Sequence, residues 1–93
     1  MMSSIPFQLE KINKDDVDRE ILRAAIIAEL DAVNLYEQMA AHTDDLKLKT
    51  VLLDIAKEEK THVGEFQALL LTIDKQQQTE LEKGKEEVNE LIT

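Results

Sequence analysis

The chain has 93 residues, with 20 acidic and 11 basic side chains, a net charge of −9, no cysteine, two glycines and one proline. One domain fits this length, the lack of cysteine excludes disulfides and thiolate metal sites, and the acidic balance argues against nucleic acid, because phosphate binding requires a basic face. No apolar run approaches the ~20 residues of a membrane helix, and the N-terminus lacks the pattern of a signal peptide, so we expect a cytoplasmic protein that binds neither membrane nor nucleic acid.

The composition predicts helices, because Ala, Leu, Ile, Glu and Lys dominate and turn-forming residues are scarce. Residues 1–13 are predicted to form an extended lead, in which Pro6 disfavours helix at Ile5. Helix one is predicted over residues 14–42. Asn13 is its expected N-cap, and three aspartates in the first turn would meet the positive end of the helix dipole.

Thr43 is predicted to interrupt the helical chain and to cap helix two, which should run over residues 44–73. Asp74 is then expected to cap a shorter third helix over residues 75–91. Gly84 lies inside that helix and should weaken it by about 1 kcal/mol relative to alanine.

The long helices carry more apolar surface than one hairpin can bury. Helix one is apolar on most of its circumference between Ile21 and Leu30, and such a helix is normally buried on most sides. Association of two hairpins into a four-helix bundle would bury this surface. We therefore predict one all-α domain over residues 1–93, with two long antiparallel helices and a short C-terminal helix, which dimerises.

Polar groups interrupt an apolar seam near the middle of each long helix. Steps of four and three residues trace the two seams, which are Leu22, Ile26, Glu29, Val33, Tyr36 and Ala40 on helix one, and Leu48, Leu52, Ile55, Glu59, His62, Phe66, Leu69 and Ile73 on helix two. An ionised carboxylate costs several kcal/mol to bury unless a partner neutralises it. A metal ion would neutralise Glu29 and would also accept a nitrogen of His62.

Glu29 and Glu59 are predicted to stand at the same height, because each lies 15 residues from residue 44, the centre of the predicted turn. His62 follows one helical turn beyond Glu59. Glu-x-x-His is the spacing by which ferritin-like di-iron proteins chelate metal, with four Glu and two His in a complete site. This chain supplies half of such a site, so a dimer must supply the rest. Carboxylate and imidazole ligands favour iron or manganese, with zinc as a further option.

The segments IIAELDAVNLYEQMA and LLDIAKEEKTHVGEFQALLL resemble the encapsulated ferritins, which are short ferritin-like ferroxidases housed in encapsulin shells. The resemblance covers roughly residues 20–75. It implies that Glu29, Glu59 and His62 bind two irons per dimer, and that Tyr36 belongs to the catalytic site as a tyrosine that orients a ligand.

The same resemblance implies a homodimer with iron bound between the subunits, assembled into a ring of five dimers. Such a protein oxidises Fe(II) to Fe(III) with O2 or peroxide. Storage of the mineral is left to an encapsulin shell protein, so the resemblance places the chain inside a cytoplasmic encapsulin nanocompartment.

The sequence departs from the family pattern in three places. Acidic residues that often flank the first ligand and take up metal correspond here to Ala28 and Asp31, which leaves Asp31 as a single candidate for metal uptake. Leu35 replaces a tryptophan found near the tyrosine in some relatives. The resemblance also predicts a shell-targeting tail or a fused shell domain after the helices, and GKEEVNELIT is not obviously either.

Two other functions remain open from the residues. A rubrerythrin-like di-iron peroxidase would use the same ligands and an electron donor, although the chain lacks the four cysteines of a rubredoxin-type iron site. A non-enzymatic helical assembly module would use the polar layer only to fix the register of the bundle, with zinc as a structural ion.

Overall fold

The structure is a computed structural model and describes Asn13 and residues 16–93. This part of the chain contains three helices and no strand: α1 (Val17–His42), α2 (Leu46–Ile73) and α3 (Lys75–Ile92). The predicted all-α class is confirmed. Apart from Asn13, the lead predicted over residues 1–13 lies outside the described residues. None of the three helices combines the length and the apolar character needed to cross a membrane.

Asp45 caps α2, and the prediction that Thr43 does so is wrong. The Asp45 carboxylate accepts hydrogen bonds from the backbone N–H groups of Lys47 at 2.9 Å and Leu48 at 3.1 Å. The Thr43 hydroxyl instead accepts from the Asp45 N–H at 3.1 Å and so shapes the turn. Consecutive Thr and Asp residues can all cap a helix, so the sequence alone does not decide which one reaches the N–H groups.

Of the N-caps predicted for the other two helices, the one for α1 is wrong and the one for α3 is confirmed. Asn13 is not the N-cap of α1, because Asp16 occupies that position and its N–H donates to the Asn13 carbonyl at 2.9 Å. Asp74 does cap α3, since its carboxylate accepts from the Gln77 N–H at 3.0 Å.

Replacing Asp45 with alanine should lower the free energy of unfolding by about 1 kcal/mol, because the first turn of α2 loses the acceptor for two N–H groups. Urea unfolding followed by circular dichroism measures the change. Asp44→Ala is the matched control, since Asp44 is exposed and makes no capping bond. Equal losses for the two variants would contradict the assignment of the cap.

α1 and α2 form an antiparallel hairpin. Three pairs of polar side chains join α1 to α2 or to its C-cap, Asp74, and the partner numbers fall as the α1 numbers rise. The pairs are Arg23 with Asp74 at 2.8 Å, Glu29 with His62 at 3.2 Å, and Glu37 with Lys60 at 3.0 Å. At 1.5 Å per residue the two helices are about 39 and 42 Å long. The midpoint of the hairpin therefore lies far from either end.

The hairpin buries little of its apolar surface. Its buried hydrophobic residues are Val33, Ala40, Leu52, Ala56 and Leu70, and among the described residues no large side chain is fully buried. The radius of gyration is 16.5 Å, whereas a compact domain of this length would have about 12 Å. A single copy therefore leaves apolar surface uncovered.

Much of the uncovered apolar surface lies on one side of the hairpin, which we call the open face. Helical periodicity places two rows of residues on this side: Ile21, Ala25, Ala28, Ala32, Leu35 and Met39 from α1, and Leu48, Val51, Ile55, His62, Leu69 and Ile73 from α2. Ile21, Leu69 and Ile73 line one shallow surface pocket, which shows that the two rows adjoin. The opposite side carries the Glu37–Lys60 ion pair and the N-terminal part of α3.

The seam predicted for α2 combined two of its faces. Leu69 and Ile73 were expected to face α1, but both are exposed, and Leu70 is buried instead. Ala56 is also buried against α1. Two apolar stripes lie side by side on this helix, and periodicity alone does not indicate which of them meets α1 and which is left for another partner.

Gly84→Ala should stabilise α3 by about 1 kcal/mol, because glycine in a helix interior costs this much relative to alanine. Apart from its chain neighbours and the adjacent backbone of α3, a Cβ at Gly84 would meet no described atom within 4 Å. Hydrogen exchange of the α3 amides measures the gain, with Gly64→Ala as a control that is equally free of clashes and lies in α2. Faster exchange in α3 of the Gly84→Ala variant would contradict the prediction.

Candidate metal centre

Glu29, Glu59 and His62 meet halfway along the hairpin. The Nδ1 atom of His62 lies 3.2 Å from Oε2 of Glu29 and 3.5 Å from Oε2 of Glu59. One potential ligand atom from each residue lies within 4.8 Å of the other two. The structure thus brings together the three residues that the sequence singled out, and the two carboxylates stand at the same height.

Local packing explains why these side chains converge. Glu29 is four residues before the buried Val33, and Glu59 is three residues after the buried Ala56. Each carboxylate therefore belongs to the stripe along which α1 and α2 pack together. His62 lies three residues beyond Glu59 and is rotated towards the open face.

The carboxylates are largely withdrawn from water, and no lysine or arginine of the described residues pairs with them. The Glu29 and Glu59 side chains are only 21% and 19% exposed, whereas the His62 side chain is 43% exposed. Within the described part of the chain, the imidazole of His62 is the only basic side chain that contacts either carboxylate, and the nearby Lys60 pairs with Glu37. Two acidic groups placed in this way favour a cation, because burial without a neutralising partner costs several kcal/mol.

The donor set fits a first-row divalent metal. Carboxylate oxygens and a histidine nitrogen bind iron, manganese and zinc. Three ligand residues do not close the four-coordinate shell of a structural zinc site, and no other Asp, Glu or His of the described residues joins the group. The arrangement fits one half of a site that holds two metal ions.

Tyr36 and Asp31 lie outside this group of ligands. Tyr36 is two helical turns beyond Glu29 on the side facing α2 and is half-buried, but no hydrogen bond joins its hydroxyl to Glu29, Glu59 or His62. Asp31 is also half-buried, and it projects from the opposite side of α1 relative to Glu29, because two residues correspond to about 200° around a helix. The predicted roles of both residues remain predictions.

A row of small residues, which was not predicted from the sequence, lies beside the centre. Ala25, Ala28 and Ala32 follow one another at helical spacing along the open face, on both sides of the level of Glu29. The spacing of three and four between alanines was the signal that would have shown a surface suited to close helix packing, since interaxial distance depends on the side chains at the contact.

A helical hairpin that carries two carboxylates and a histidine at mid-length is the half-bundle of a ferritin-like protein. A family profile described as Rubrerythrin matches residues 20–92. A crystal structure of the encapsulated ferritin domain from Pyrococcus furiosus superposes with a TM-score of 0.83 and 54% sequence identity, covering 98% of this chain and 95% of that one. The chain belongs to the rubrerythrin family and, within it, to the encapsulated ferritins.

A longer relative is the ferritin-like-encapsulin shell fusion protein of Pyrococcus furiosus, which is 65% identical over 72 residues. The match covers 77% of this chain but 21% of that protein, so the chain spans about a fifth of its length. These similarities confirm the predicted family and fold. The chain is a ferritin-like domain with a group of candidate metal ligands.

Proposed function

We propose that this chain is a ferroxidase that oxidises Fe(II) to Fe(III) at a di-iron site shared by two copies. The observation that carries the proposal is the convergence of Glu29, Glu59 and His62 within 4.8 Å of one another. The two carboxylates are largely withdrawn from water, whereas His62 extends towards the apolar open face. Membership of a ferritin-like family supports iron as the substrate metal, with manganese or zinc as substitutes that bind the same ligands.

The open face is the surface across which we expect the second copy to bind. A twofold axis through the level of the ligands would bring two half-sites together, because the same patch meets itself in a symmetric dimer. The combined site would hold four carboxylates and two imidazoles, which is the ligand set of ferritin-like di-iron proteins. Four carboxylates also balance the charge of two Fe(II) ions, so the buried charge would be neutralised.

Each residue would have a separate role in this site. Glu29 and Glu59 would chelate and bridge the irons, and His62 would be a terminal ligand. Tyr36 would orient one of these ligands by a hydrogen bond, once its hydroxyl has moved within reach of that ligand. Asp31 would bind Fe(II) before the iron reaches the centre. Two Fe(II) ions would each give up one electron, and the two electrons with two protons would reduce O2 to hydrogen peroxide, or hydrogen peroxide to water. Fe(III) would leave as the product.

We further propose that the ferric product is stored in an encapsulin nanocompartment in the cytoplasm, with the shell protein as a partner. The support is the name of the 65% identical relative, which joins a ferritin-like part to an encapsulin shell in one protein. A ring of five dimers is the assembly we expect inside that shell. Co-expression with the shell of that relative, followed by iron analysis of purified particles, tests this part. Particles that contain the chain but no more iron than empty shells would contradict it.

A di-iron peroxidase is the second candidate, and the match to the Rubrerythrin profile over residues 20–92 favours it. It would use the same three ligands but would need an external electron donor, since this chain has no cysteine with which to form a rubredoxin-type site. The two functions differ in which substrate is consumed over many turnovers: Fe(II) by a ferroxidase and peroxide by a peroxidase. A peroxidase would consume peroxide catalytically with an added reductant and little net ferric product.

The deciding experiment adds Fe(II) to the metal-free protein, with O2 in one series and with peroxide plus a reductant in the other. A ferroxidase should form ferric iron in proportion to the Fe(II) added over many equivalents, as followed by ferric absorbance. Catalytic loss of peroxide with iron remaining at two per dimer would support the peroxidase. If neither reaction occurs and the protein retains zinc through purification, the result would indicate the non-enzymatic assembly module.

A further inference from the structure

Asp74, a charged residue outside the metal centre, joins α3 to the hairpin. It lies between the last residue of α2, Ile73, and the first residue of α3, Lys75. It is 8% exposed and is the buried charged residue of the described part of the chain. Neither the metal centre nor the open face accounts for its burial.

Asp74 is bonded to all three helices. Its Oδ2 atom accepts a hydrogen bond from Nη2 of Arg23 on α1 at 2.8 Å, and its Oδ1 atom accepts from the N–H of Gln77 on α3 at 3.0 Å. Its own N–H donates to the Leu70 carbonyl at 2.9 Å, which completes the last turn of α2. The Arg23 bond is the one that ties the junction to a helix that is not continuous with it.

Apolar packing does little to fix the direction of α3. No residue of α3 is buried. Leu81 contributes to an apolar cleft that Arg23 and Ile26 also line, yet it is itself exposed, and the apolar residues further along the helix are exposed as well: Val88, Leu91 and Ile92. The contacts that fix the direction of α3 relative to the hairpin must therefore lie near the N-terminus of α3.

The charge of Asp74 suits this role. The hydrogen bond from the Gln77 N–H lowers the pKa of Asp74 below its ordinary value, the guanidinium groups of Arg23 and Arg19 lower it further, and desolvation opposes them. The carboxylate is therefore ionised at neutral pH, and its bond to Arg23 joins two full charges, the stronger kind of hydrogen bond.

We infer that Asp74 is an ionic latch whose bond to Arg23 fixes the direction of α3, and that α3 becomes a hinged arm when this bond is lost. The latch is independent of the proposed iron chemistry. It determines the direction in which the exposed apolar residues of α3 are presented.

The test measures the distance between nitroxide labels on α2 and α3 by pulsed electron spin resonance. Because the chain has no cysteine, Ala68→Cys and Lys85→Cys introduce the only labelling sites, and both positions are exposed. Labelled chains are diluted with unlabelled ones, so that only distances within one copy are read. The doubly labelled protein without a further substitution should give a narrow distribution of distances. Asp74→Asn and Arg23→Gln should each broaden that distribution at least twofold.

Asn is as good an N-cap as Asp, so Asp74→Asn removes the ion pair and keeps the cap of α3. Asp45→Asn is the matched control, since it makes the same change at the cap of α2, where no ion pair is present in the described part of the chain. It should leave the distribution unchanged, and circular dichroism should show the same helix content in all variants. A narrow distribution in either Asp74→Asn or Arg23→Gln would overturn the latch, and so would equal broadening by Asp45→Asn.

Discussion

Glu59→Gln should slow the aerobic oxidation of Fe(II) by at least about 10- to 100-fold, because loss of a metal ligand should cost at least as much as loss of a residue that supports one. The change keeps the size of the side chain and removes its charge. Glu29→Gln and His62→Ala should have effects of the same order, since the three residues supply the ligands of one half-site. The initial rate of ferric absorbance after addition of Fe(II) measures the effect.

Stability distinguishes a lost ligand from a damaged fold. In the metal-free protein Glu29 and Glu59 are acidic groups near one another and only about a fifth exposed, so neutralising one of them should not lower the free energy of unfolding. Glu37→Gln is the matched control, because Glu37 lies on the side of the hairpin opposite the open face and pairs with Lys60. It should retain the parental rate. Parental rates in Glu29→Gln, Glu59→Gln and His62→Ala would refute the assignment of the ligands.

The second large effect concerns the open face, where Leu69→Glu should abolish both the dimer and fast iron oxidation. Leu69 is 58% exposed in one copy, so the change should leave the hairpin folded. In the dimer the new carboxylate would be buried without a partner, at a cost of several kcal/mol. A loss of about 3 kcal/mol corresponds to a dissociation constant more than 100-fold weaker. Sedimentation velocity at micromolar concentration measures the association.

Leu53→Glu controls for the introduction of a charge on an exposed apolar position. Leu53 is 48% exposed on the same helix, but it lies beside Glu37 and Lys49 on the opposite side of the hairpin. This variant should remain dimeric and should oxidise iron at the parental rate. A dimeric, active Leu69→Glu protein would show that the second copy binds elsewhere.

The sequence was sufficient to predict the fold and the convergence of the three side chains. Long helices follow from composition and periodicity, and the tight turn centred on residue 44 determines which positions lie opposite one another. Once the turn is located, Glu29 and Glu59 are level because each is 15 residues away from it. Burial of Val33 and Ala56 on the same stripes then keeps the two carboxylates facing inwards.

Other features depended on choices that the sequence leaves open. Thr43, Asp44 and Asp45 can all cap a helix, and only the backbone geometry decides for Asp45. Leu69 and Leu70 are neighbours of the same type, and packing of the whole hairpin decides that Leu70 faces α1. The bond from Arg23 to Asp74 joins residues 51 positions apart, and no local pattern marks such a pair.

We expect the metal site to be shared by two copies of the chain. Anomalous diffraction at the iron edge, from crystals grown with Fe(II) under anaerobic conditions, tests it most directly. We expect two iron peaks about 3.5–4 Å apart, lying between two open faces and contacted by Glu29, Glu59 and His62 of both copies. A single peak enclosed by one hairpin, or iron bound away from these residues, would contradict the account.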